Sequence, residues 1–104
     1  MTKLSFPFPS SVLVGGHKLK IVWRIDSGGE DLFGTYSTDK KVITLFKNNN
    51  PNEEVAWSTL YHEMLHASLE MGGLSYMLGD SLEEAVVRNF DSLMLPALKI
   101  LFEQ

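Results

Sequence analysis

This sequence predicts an α+β domain: a small twisted sheet of three to four strands in its first half, packed on two main helices in its second. Three observations point there. Residues 18–25, KLKIVWRI, alternate apolar and polar side chains at the period of a strand. Residues 50–71 repeat apolar side chains at helical spacing between a capping signal and a pair of glycines, and a second helical run opens at Leu82. With 104 residues, the chain can build one hydrophobic core but not two, so a single domain over 1–104 is expected.

The elements follow in order. Phe6-Pro7-Phe8-Pro9 excludes helix, because each proline also pushes its predecessor out of the α region, so residues 1–10 should form an extended arm. Ser11–Val14 suits a short strand before the Gly15-Gly16 turn. In the next strand Leu19, Ile21, Trp23 and Ile25 share one face, opposite Lys20, Val22 and Arg24. Asp26-Ser27-Gly28-Gly29 is turn chemistry, and Leu32–Ser37 reads as a strand in which Gly34 marks a bulge or a close backbone approach. Val42–Phe46, VITLF, is a compact strand.

After it, Asn50 suits a helix N-cap, Pro51 the first helical position, and Glu53 the far end of a capping box. Gly72-Gly73 should close that helix. The stretch LSYMLGD is expected to be a loop, Asp80 and Ser81 are both competent N-caps, and Pro96 should end or kink the second helix. There is no internal repeat and no low-complexity segment.

Composition narrows the function. A hydrophobic content of 44% with 21% charged residues describes an ordinary soluble fold and excludes disorder. The chain has no cysteine, so histidine and carboxylate must supply any metal ligands. No apolar run is long enough for a signal peptide or a membrane span, from which a cytoplasmic protein is expected. The net charge of −4 divides unevenly: residues 1–50 carry seven Lys/Arg against four Asp/Glu, residues 51–104 two against nine. The basic half is too weakly charged to argue for nucleic acid. The acidic half favours a cation.

Within that acidic half stands HEMLH, residues 62–66, an instance of H-E-x-x-H. Histidines at i and i+4 of a helix lie one turn apart, about 5–6 Å, so both imidazoles can bind one zinc ion at about 2.0–2.1 Å. Glu63 lies about 100° further round, unable to join the same shell but able to reach a water on the metal. A carboxylate so placed is the general base of a hydrolase. On the helix wheel Ala56, Trp57, Leu60, Tyr61, Met64, Ala67 and Met71 form one broad apolar face. His62, Glu63 and His66 fall opposite, with Val55, Thr59 and Glu70, whereas core histidines would lie on the apolar stripe. Leu65 and Leu69 flank them, implying a partly apolar cleft. His17, between two strands, reads as a turn or surface residue.

A catalytic zinc site needs a third protein ligand and an open position. The longer HExxHxxGxxH form is absent, since residue 69 is Leu and residue 72 Gly, so a carboxylate from elsewhere is required. On the second helix Leu82, Ala85, Val86, Val87, Phe90, Leu93, Met94 and Ala97 define the apolar face, with Glu83 pointing into its middle and Glu84 on the polar edge near Arg88 and Asp91. A carboxylate aimed into a buried face is expensive unless paired or metal-bound. Glu83 is therefore the expected third ligand. Each glutamate also has a capping role open to it, Glu83 with Asp80 and Glu84 with Ser81. Asp80, Asp91 and Glu70 are unranked candidates to hold the histidine ring N–H groups.

The order of strands, HEMLH helix, short loop and glutamate helix resembles the small gluzincin-type metallopeptidases, in particular the compact zincin-like proteins of phages and bacteria that include the ImmA/IrrE and SprT-like groups. The resemblance runs from about Gly34 to Pro96 and rests on VITLF, TLYHEMLHASL and LEEAVVRNFDSLMLP. It implies zinc held by His62, His66 and a glutamate of the second helix, with Glu63 as catalytic base. In the ImmA/IrrE pattern E-x-x-A-N-x-F-A before a terminal L-L-M-P, laying Pro96 on the last proline puts Glu83 on the ligand glutamate. Val86 and Val87 then replace the Ala-Asn pair, and no helix-turn-helix or substrate domain accompanies the motif.

Such folds also lay an extended peptide along an edge strand, for which Val42–Phe46 is the expected candidate. Tyr76, Tyr36 and His17 are candidate oxyanion donors. The expectation is a zinc metallopeptidase acting on a peptide or protein. The alternative is a zincin-like module, catalytically weak or inactive, that binds a peptide or partner protein.

Overall fold

The computed structural model describes residues 4, 6–29 and 31–102. Four strands, β1 (Ser11–Val14), β2 (His17–Arg24), β3 (Gly34–Ser37) and β4 (Val42–Phe46), form one mixed sheet in the order β1-β2-β4-β3. β1 and β2 make a hairpin, β2 and β4 run parallel with Ile21 opposite Ile43, and β3 pairs antiparallel with β4, Gly34 opposite Leu45. After a 3₁₀ turn at Lys47–Asn49, α1 (Glu53–Met71) crosses the sheet. Then come α2 (Leu74–Asn89), a π turn (Phe90–Met94) and α3 (Leu95–Phe102).

The core lies between sheet and α1. Leu19 and Ile21 of β2, Ile43 and Leu45 of β4, and Ala56, Leu60 and Ala67 of α1 are buried together. The period-two face of β2 thus meets the helical stripe of α1, and each large side chain so buried contributes about 1.5–3 kcal/mol. The N-terminal arm joins this layer: Phe8 packs on Trp57 and Trp23, with ring centroids 4.9 Å and 5.3 Å away.

Several expectations need correction. Val42–Phe46 is not an edge strand. β4 lies between β2 and β3, with Ile43, Leu45 and Phe46 buried, as suits a continuous apolar run. The edges are β1 and β3, and β3 starts at Gly34, leaving Leu32 and Phe33 exposed outside it. β2 ends at Arg24, so Ile25 is exposed.

Asn50 is not the helix cap. Asn52 caps α1 by accepting from the Val55 N–H at 2.9 Å, and Glu53 instead accepts from the Trp57 indole at 3.4 Å. Asn50 is 2% exposed, and its Nδ2 donates to the Phe33 and Phe46 carbonyls at 2.8 Å and 2.7 Å. Those carbonyls lie where β3 and β4 begin and end, and a buried side-chain amide satisfies both.

At the other end α1 closes as expected. The Gly72 and Gly73 N–H groups reach Ser68 and Glu70, with Gly73 left-handed at φ 78°. The segment expected as a loop begins with a helical turn instead, and Gly79 (φ 76°, ψ 168°) breaks it before the helix that carries the glutamates. Pro96 does not end the helical run. The five-residue π turn precedes it, and α3 continues to Phe102. A π turn shifts the hydrogen-bond register, which accommodates a residue that has no N–H.

The buried face of α2 is rotated from the wheel, not reversed: Val87 and Glu83 point inward as the wheel has them. Leu95, which lay outside that face, is buried as well, while Leu82, Val86, Leu93 and Met94 are exposed.

A histidine and carboxylate cluster as candidate metal centre

Helical spacing places His62 and His66 side by side on α1, with ring centroids 4.9 Å apart. Each presents one nitrogen to a carboxylate of α2 or the π turn. His62 Nδ1 is 2.6 Å from Asp91 Oδ2, and His66 Nδ1 is 2.6 Å from Glu83 Oε2. With both Nδ1 atoms engaged, both Nε2 atoms turn toward Glu84: His62 Nε2 lies 3.8 Å from Oε1 and His66 Nε2 3.3 Å from Oε2. His62, His66 and Glu84 form a group that could hold a metal ion.

The donor set and its spacing suit that role. Two ligand atoms each about 2.1 Å from a tetrahedral ion lie about 3.4 Å apart, close to the separations found here. A carboxylate on Nδ1 favours the tautomer whose Nε2 lone pair is free for a metal.

Glu84, and not the expected Glu83, belongs to the group that could hold an ion, and the physical reason is visible. Glu83 does point inward, and its side chain is less exposed than that of Glu84. Its burial is offset by His66, not by a metal position. Burial raises the Glu83 carboxyl, but the Ser75 hydroxyl and the His66 ring outweigh it, so the net shift is downward. Ser75 Oγ itself is buried without meeting full hydrogen-bond geometry among the described residues. The wheel gave the correct direction for Glu83 but not what lay at the end of it. One signal in the sequence favoured Glu84: in E-x-x-A-N-x-F-A the phenylalanine follows the glutamate by six, and Phe90 follows Glu84 by six.

Of the three candidates for the ring N–H groups, Asp91 fills the role at His62. Its Oδ1 is buried and makes no hydrogen bond among the described residues. Glu70 instead accepts from the Tyr36 hydroxyl at 3.5 Å, and Asp80 is exposed.

Glu63 is the buried member of the cluster, 8% exposed although the wheel put it on the side away from the core. α1 is covered twice, by the sheet and by α2, so its second face is enclosed as well. β3 closes over Glu63: a Cβ at Gly34 would lie 3.4 Å from Glu63 Cγ. Burial raises the Glu63 carboxyl, His62 and His66 pull it down, Glu84 and Asp91 push it up, and the net direction is upward.

The cluster opens on a cleft of about 880 Å³. Its floor is the first half of α1, including Ser58, Thr59, His62 and Glu63. One wall runs from Asp31 to Gly34, and the other includes Glu84, Arg88, Asp91 and Lys99. None of the expected oxyanion donors lines it. Tyr76 is 96% exposed, Tyr36 pairs with Glu70, and His17 lies exposed at the start of β2. Ser58, Thr59, Arg88 and Lys99 do line the cleft, and none of them carries a motif that marks it as a donor in the sequence.

Comparison with models of known protein families, with curated proteins and with solved structures finds no match to this chain. Among the described residues, no helix is long and apolar enough to cross a membrane.

Proposed function

We propose that this chain is a zinc-dependent peptide hydrolase in which His62, His66 and Glu84 hold the metal and Glu63 is the general base. One observation carries the reading. Both histidines of the HEMLH helix have Nδ1 tied to a carboxylate, while both Nε2 atoms face a third carboxylate at ligand-to-ligand distance. Histidine pairs that serve only as packing or surface groups have no need of this second set of partners. A zinc ion held there supplies Lewis acidity, which activates water near neutral pH and polarises a peptide carbonyl.

The chain's own residues supply the rest. Glu63 takes the proton from the attacking water and returns it to the departing amine. Its stem lies under Gly34 of β3, and it is among the residues that line the cleft. Asp91 and Glu83 orient the two rings. An extended peptide adds to the free edge of β3, not to β4, because β3 borders the cleft through Gly34.

Glu63→Gln tests the reading. The variant should keep its fold and its zinc and lose turnover of an unstructured peptide, because an amide cannot accept the proton. Turnover at the parent rate would remove Glu63 from the mechanism. A parent chain that binds zinc and peptide without cleaving would instead support a zincin-like binding module.

A further inference from the structure

Residues 51–104 hold nine carboxylates and two cations, Arg88 and Lys99. Both cations line the cleft. Arg88 is engaged, with Nε 3.7 Å from Glu84 Oε1. Lys99 is not: its Nζ donates to Ser58 Oγ at 2.7 Å, and none of the ion pairs among the described residues takes it. A lysine in an acidic half, lodged in a cleft and bonded to a neutral hydroxyl, still has charge to offer a ligand.

Its position along the cleft is set by α1. Ser58 precedes the midpoint of His62 and His66 by six residues, about 9 Å along the axis. An extended peptide advances about 3.3 Å per residue, so the Lys99 ammonium stands two to three residues from the point between the histidine Nε2 atoms and Glu84. Leu32, Leu95 and Pro96 also line the cleft, and their apolar surface strengthens a charge pair formed beside them.

We propose that Lys99, steadied by Ser58, anchors a substrate carboxylate two to three residues from the bond under attack. This rests on the site being the one proposed above. The favoured ligand is a peptide that offers a carboxylate at that distance, from either its free C-terminus or an acidic side chain. A charge-assisted hydrogen bond in such a setting corresponds to about tenfold or more in affinity.

The test measures binding, not turnover, on the zinc-loaded Glu63→Gln chain. The probes are N-acetyl-trialanine as the free acid, the same peptide as its amide, and an amide with glutamate as its last residue. With Lys99 present, the acid should bind about tenfold tighter than the plain amide. Lys99→Gln should abolish that ratio while leaving the plain amide unchanged, and Lys99→Arg should preserve it. Tight binding of the glutamate amide would identify a side-chain carboxylate as an accepted source. Binding of the acid alone would identify the chain terminus.

Equal affinity for all three probes in the parent, or no binding of any probe, overturns the proposal. A uniform loss across all three peptides in Lys99→Gln also overturns it, because that result assigns Lys99 to holding α3 on α1. Hydrolysis is measured separately in the chain that retains Glu63. Cleavage without a carboxylate preference removes the anchor alone, and a preference without cleavage removes the hydrolase alone.

Discussion

Replacing Gly34 with alanine acts where the sheet closes over the HEMLH helix. The new methyl would lie 2.8 Å from Thr59 Cγ2, 3.0 Å from the Thr44 carbonyl oxygen and 3.4 Å from Glu63 Cγ. Relaxed carbon contacts need about 3.5–4.0 Å, so β3 must lift from α1 by roughly 0.5–1 Å. The neighbours cannot easily give way. Thr44 O is backbone of the central strand β4, and the Thr59 hydroxyl is held by Asn50 Oδ1 at 2.6 Å and the Val55 carbonyl at 3.1 Å.

Overpacking of this kind costs about 1–3 kcal/mol, against which the loss of glycine freedom in the unfolded chain returns about 0.4–1 kcal/mol. The net should be about 1–2 kcal/mol, which lowers Tm by about 5–15 °C in a domain of this size. Thermal unfolding followed by circular dichroism reads it directly. Zinc affinity should change little, since none of His62, His66 and Glu84 is among the atoms nearest that methyl, while hydrolysis should fall because Glu63 is. An unchanged Tm with undiminished turnover would refute the close approach of β3 to Glu63.

Two further outcomes follow from buried polar groups. Asn50→Ala removes the donor shared by the Phe33 and Phe46 carbonyls and should cost about 2–4 kcal/mol in urea unfolding, far more than loss of an exposed cap. A loss under about 0.5 kcal/mol would return Asn50 to the periphery. Glu63 gives a pH dependence. Its folded pKa is raised, chiefly by burial, so the metal-free folded chain holds that proton more tightly than the unfolded chain does. Its contribution to stability is therefore fully present below the ordinary carboxyl pKa and is lost as pH rises through the raised value. Metal-free Glu63→Gln should lack this loss and be more stable than the parent at neutral pH. Parallel stability–pH curves for the two chains would contradict the burial.

Local signals carried most of the fold. The alternation of KLKIVWRI set the face of β2, with Leu19 and Ile21 inward, and Gly72-Gly73 stopped α1 where the structure ends it. The motif needed only one turn of helix to bring His62 and His66 together. What failed depended on distant partners. Asn50 and Asn52 are both competent caps, and the choice was made by two carbonyls at the ends of β3 and β4. The place of β4 inside the sheet follows from a parallel pairing with β2, which no short-range signal encodes. Glu83 and Glu84 differ by one step of a helix that buries Val87 and brings both carboxylates to the histidines of α1, and which histidine nitrogen each meets depends on how the two helices pack. Ser58 and Lys99 meet across 41 residues and had no pattern to announce them.

The central claim is that Glu84 completes a zinc site with His62 and His66 while Glu83 orients a ring from outside it. Competitive zinc titration of the parent, Glu84→Ala and Glu83→Ala tests this most directly, with circular dichroism to confirm that each chain is folded. The parent should take about one zinc, Glu84→Ala should lose affinity by several orders of magnitude, and Glu83→Ala should lose about 10–100-fold. A parent that binds no zinc, or a folded Glu84→Ala that binds it as tightly as the parent while Glu83→Ala does not, would contradict the account.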